Sequence, residues 1–171
     1  MATTPHRAPS WVTALSESAA AKLAAGAVGG FAAGVVFMVL DSWFSGTLGQ
    51  PALAPFRAVA TLAQGPPPAA ASIWIGMAIH SALSVVLGLI FAAIVMSGRV
   101  RDAREVVLAG LIYGGVVYAI NFQVLARFVG QFSAFQRSNQ PFELAIHLVF
   151  GAVLALFMLP LFSGTGASGK K

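Results

Sequence analysis

Apolar residues run almost unbroken through four stretches, about 23–44, 73–96, 106–128 and 142–162, and the segments between and around them hold nearly all the charge. Each stretch is close to the ~20 residues that a helix needs to cross ~30 Å of hydrocarbon. Backbone polar groups in lipid have to be satisfied within a segment, and no stretch alternates like a barrel strand, so four helical crossings are predicted. The expected fold is an all-α integral membrane four-helix bundle over 10–162. Residues 1–9 and 163–171, rich in Pro, Gly, Ser and Thr, are expected to be flexible tails.

Two shorter elements are predicted beside the spans. Ser10 can cap a helix beginning at Trp11, which either lies along the membrane surface or runs straight into the first span. After that span, Leu53 to Leu62 can form an interfacial helix ended by Gly65-Pro66-Pro67-Pro68. Ala52-Leu53-Ala54 resembles a signal-peptide cleavage site, but the apolar run before it exceeds that of ordinary signal peptides, so the first helix is expected to be retained.

Composition narrows the class. The chain has 171 residues, of which 58% are hydrophobic and only 9% charged, against about 25% charged in ordinary soluble domains. No segment is long enough for a separate soluble core. The net charge of +5 comes from residues scattered over loops and termini, a distribution suited to anionic lipid headgroups and not to nucleic acid. Absence of cysteine excludes disulfides, thiolate metal sites and thiol catalysis.

The basic residues also predict an orientation. Arg7, Lys22, Arg99, Arg101, Arg104, Lys170 and Lys171 fall on one side of the four crossings, and only Arg57, Arg127 and Arg137 on the other. The positive-inside rule then places both termini and the second loop in the cytoplasm.

Two echoes suggest an internal repeat. Ala78-Ile79-His80 followed by Val86, Leu87 and Leu89 matches Ala145-Ile146-His147 followed by Val153, Leu154 and Leu156, without a gap, and a weaker likeness links Gly26–Phe44 with Gly110–Phe128. Two parallel-repeat helical hairpins are expected, related by an axis along the membrane normal. Glycines indicate the packing faces in the manner of a glycine zipper: Gly26, Gly30 and Gly34 in the first helix, Gly76, Ser84 and Gly88 in the second, Gly110 and Gly114 in the third, and Gly151 in the fourth.

On those faces stand the ionisable groups that a span can ill afford. Asp41, His80, Asn121, Glu143 and His147 are expected within roughly 10 Å of the outer surface, forming one polar layer, with Gln123 on another side of the third helix. Phe122, Phe128, Phe132, Phe135 and Phe142 are read as interfacial anchors. In one reading the layer only locks the helices, each contact contributing about 0.6 kcal/mol. In another, His80 and His147 are the axial ligands of a b-type haem. A third has both histidines with Glu143 or Asp41 on Cu or Zn, and a fourth makes the layer pH-responsive. No hydrolase triad or phosphate loop is present in the motifs.

Three segments carry a family resemblance: Ile79-His80-Ser81-Ala82-Leu83-Ser84, Leu108-Ala109-Gly110, and Glu143 four residues before His147-Leu148-Val149. Together they resemble small uncharacterised bacterial four-helix inner-membrane proteins, over about half of the chain. The resemblance implies a multi-pass protein of the bacterial inner membrane. Asn121 stands where those relatives carry a histidine. The function expected first is non-enzymatic, through helix association as a homo-oligomer or an accessory subunit of a membrane complex, with no cofactor or metal. A bis-histidine haem electron carrier is the alternative, and a small proton, ion or solute transporter the third.

Overall fold

The computed structural model describes residues 10–100 and 102–161. The expected tails, with Arg7, Arg101, Lys170 and Lys171, lie outside the described residues. Those residues are helical almost throughout: α1 (Ser10–Thr47), α2 (Ala54–Gln64), α3 (Ile73–Ile94), α4 (Ala103–Tyr118), α5 (Ala126–Phe128) and α6 (Gln140–Met158). No strand occurs among them. Four segments are long and apolar enough to cross a membrane, Ala19–Thr47, Ile73–Gly98, Ala103–Phe128 and Gln140–Met158.

Local chemistry sets these boundaries. Nothing in the Ala-rich sequence after Ser10 breaks a helix, so the first helix enters the first span without a bend at the surface. Asp102 caps α4 by accepting the Glu105 amide at 2.8 Å, and Asn139 caps α6 by accepting the Phe142 amide at 3.1 Å. Gly65 adopts φ +74°, a left-handed conformation that ends α2. The fourth span stops at Met158, earlier than the predicted Phe162, and passes into a short 3-10 turn that contains Pro160.

The four long apolar helices pack in the order α3, α1, α6, α4. Three of these contacts are close because glycine removes the side chain at the crossing. A Cβ on Gly26 or Gly30 would strike the α3 backbone at Ser84 or Gly88, and one on Gly110 or Gly114 would strike the α6 backbone at Gly151 or His147. Gly29, which sequence reasoning passed over, fits against Phe157 where α1 meets α6. The α3 and α4 backbones stay farther apart, and side chains bridge them: Phe91 lies against Tyr113, whose hydroxyl donates to the Leu87 carbonyl at 2.8 Å. Tyr113→Phe is expected to lower stability by about 1 kcal/mol, read as a reduced unfolding temperature in detergent with secondary structure unchanged.

The predicted interfacial helix takes a more definite place. Gly76 faces the Phe56 carbonyl of α2 and not α1, so this member of the α3 stripe seats α2. Thr61, fully buried, shares its hydroxyl proton between the Ala58 carbonyl of its own helix at 2.7 Å and the Gln131 carbonyl at 2.8 Å, joining α2 to the 3-10 segment Gly130–Arg137. Arg57 ties the following linker down at the Ala71 carbonyl, 2.6 Å away. Together α2 and the 3-10 segment form a lid over one end of the long helices.

Candidate functional site

Beneath that lid is a cavity of about 610 Å³. Asp41, His80, Asn121, Glu143 and His147 all line it. The convergence follows from helix geometry: His80 and His147 each come seven residues after the start of α3 and α6, a descent of ~10 Å, while Asp41 lies near the lid end of α1. Asn121 is presented from Ala119–Leu125, a run of widened π-type turns that continues α4. Gln123 does not line the cavity; it joins Tyr118, Gln140 and Arg127 in a separate network with contacts of 2.7 to 3.1 Å.

Both imidazoles are held by main-chain carbonyls. His147 Nδ1 lies 2.7 Å from the Glu143 carbonyl, and His80 Nε2 lies 3.0 Å from the Gly34 carbonyl with Ser84 Oγ at 3.3 Å. A carbonyl only accepts, so these two nitrogens carry the protons, leaving His147 Nε2 and His80 Nδ1 as acceptors in the neutral rings. Gly34 is required here, since a Cβ would run into Ser84 and the His80 ring.

Aromatic rings surround the more buried histidine, His147. Phe37, Phe122 and Tyr118 meet His147 edge-on, with centroids at 4.8, 5.2 and 5.7 Å, and Phe37 also packs against His80 at 5.8 Å. Phe122 is thus a buried wall of the site and not an interfacial anchor, its ring stacked between Tyr118 and Phe135. Phe142 stacks on Phe44 at 3.9 Å, whereas Phe128 is exposed as expected of an anchor. Phe37 was not anticipated, although its place three residues after Gly34 and four before Asp41 puts it on the same helix face.

Glu143 is the least satisfied member. It is 5% exposed, and its Oε2 has no hydrogen-bond partner. Ser138 and Asp41 line the same cavity, the Ser138 hydroxyl donating to the Phe135 carbonyl at 2.8 Å. Cavity-lining residues are exposed both on α3, where Leu83 and Val86 are 43% and 49% exposed, and just after α1, where Leu48 is 60% exposed. Among the described residues no three His, Asp or Glu side chains are grouped to hold a metal ion.

Compared with protein-family models, curated proteins and solved structures, the chain matches none.

Proposed function

We propose that this chain is a non-enzymatic, multi-pass membrane protein that binds a small amphipathic molecule in the cavity beneath the lid. The observation that carries this reading is the convergence of five polar side chains from all four spanning helices on one apolar-walled space of about 610 Å³. That volume falls within the range of small-molecule sites, where a few polar groups orient a ligand held by apolar walls. Polar side chains placed only to lock helices would pair with one another, yet here Glu143 is among the cavity-lining residues and one of its buried carboxylate oxygens has no hydrogen-bond partner. The two histidines have their N–H groups committed to carbonyls, which supports binding over acid–base chemistry.

The exposure of Leu83 and Val86 supports entry from the bilayer. The excess of basic residues at the opposite end supports cytoplasmic termini, and the family resemblance supports the bacterial inner membrane. Similar pairing of α1 with α3 and of α4 with α6 through glycines accords with an ancestral duplication of a helical hairpin.

Association as a homo-oligomer or accessory subunit has less support than the sequence suggested. The glycine stripes that motivated it are occupied within the chain. A bis-histidine haem also draws little support, because His80 Nε2 is held at the Gly34 carbonyl and the Phe37 ring lies against both imidazoles.

Lack of native cysteine permits a background-free test. Asn121→Cys is expected to react with the small apolar reagent N-phenylmaleimide in mild detergent, and Leu154→Cys, from a fully buried packed position, to react only after unfolding. Equal resistance of the two in the folded protein would remove the ligand cavity.

A further inference from the structure

The geometry points to an organic cation, a protonated amine on an apolar body, as the class of molecule that fits this cavity. The inference rests on the ligand-binding reading above and adds the sign of the ligand's charge.

Of the five polar side chains that converge from the long helices, Asp41, His80, Glu143 and His147 offer acceptors, and Asn121 offers both an acceptor and donors. Asp41 and Glu143 both line the cavity, and Glu143 Oε2 is buried without a hydrogen-bond partner. The His147 and His80 protons are already given to backbone carbonyls, so what remains on each ring is a lone pair. An ammonium supplies donors for these acceptors. It also neutralises acidic groups that are costly to hold together away from water.

The walls favour the same class. Phe37, Phe122 and Phe135 line the space, and aromatic faces attract cations while sheltering an apolar body. The cavity does contain a cation of its own, Arg137, at the lid end, but its side chain is exposed and, among the described residues, neither carboxylate is in an ion pair. An anionic ligand would meet the two carboxylates of Asp41 and Glu143 in the same space. A neutral alcohol would leave one of them unanswered.

A matched series with one apolar body separates these cases: 4-phenylbutylamine, 4-phenylbutanol and 4-phenylbutanoate, titrated calorimetrically into the full chain in neutral detergent micelles. The amine is expected to bind about tenfold or more tightly than the alcohol, and the carboxylate not at all. Glu143→Gln, nearly isosteric, is expected to weaken the amine about thirtyfold and leave the alcohol within about twofold. Asp41→Asn provides a second variant with the same direction, and an unchanged unfolding transition confirms that each is folded. Equal or tighter binding of the alcohol or carboxylate, or amine affinity untouched in folded Glu143→Gln and Asp41→Asn, overturns the cation assignment. If none of the three probes binds while Asn121→Cys reacts with N-phenylmaleimide, the cation assignment falls and the cavity stands. If Asn121→Cys is also inert, both fall.

Discussion

Gly151→Val is expected to prevent α4 from docking on α6, the largest structural effect of any single substitution considered. A Cβ at this position would penetrate the Gly110 carbonyl and approach the Gly114 amide, both main-chain atoms that cannot swing aside as a flexible side chain can. Relief requires separating two helices whose backbones meet in close contact, the contact on which association of apolar helices in lipid depends. Overpacking in a dense core costs about 1–3 kcal/mol and occasionally more, and the reciprocal fit of Gly110 with Gly151 places this site at the upper end. The expected readout is loss of the cooperative thermal transition in detergent and increased proteolysis of the α4–α6 half. Gly46→Val is the control, since its Cβ would meet nothing within 4 Å. Similar behaviour of the two variants would show that the glycine crossing does not hold these helices together.

The contrast between Gly46 and Gly151 also shows what the sequence made legible. The four spans follow from apolar length alone, and Asp41, His80, Asn121, Glu143 and His147 could be grouped because helical spacing and depth place each on a small-residue face at one end. Which helix receives which stripe was not legible. In a membrane the lipid-facing and protein-facing sides are both apolar, so periodicity gives a weak signal for neighbours. Gly76 illustrates this: it continues the stripe of Ser84 and Gly88, yet it meets Phe56 of the lid. Phe122 was assigned to the interface for the same reason, since an aromatic near a helix end reads alike whether it faces headgroups or His147. The cavity itself arises from the gap between α3 and α4 and the lid above it, a product of relative helix placement that no local pattern records.

Glu143→Met is expected to stabilise the protein while abolishing its binding of organic amines, a pairing that distinguishes a group kept for a ligand from one kept for the fold. A buried polar group without a partner carries a desolvation penalty of about 1–3 kcal/mol, and Glu143 is 5% exposed with Oε2 unpartnered. Methionine has similar length, no branch to clash and no need of a donor, so it can fill the same space beside Phe142 and Ile146. The unfolding temperature in detergent should rise by several degrees, in line with a gain of about 1–2 kcal/mol. His147 should hold its place, because its Nδ1 proton goes to the main-chain carbonyl of residue 143 and not to the side chain. A fall in stability of the same size would mean that the carboxylate holds the helices in register through partners of its own, returning the polar layer to a structural role. A rise in stability with amine binding intact would move the charge-bearing role to Asp41 alone.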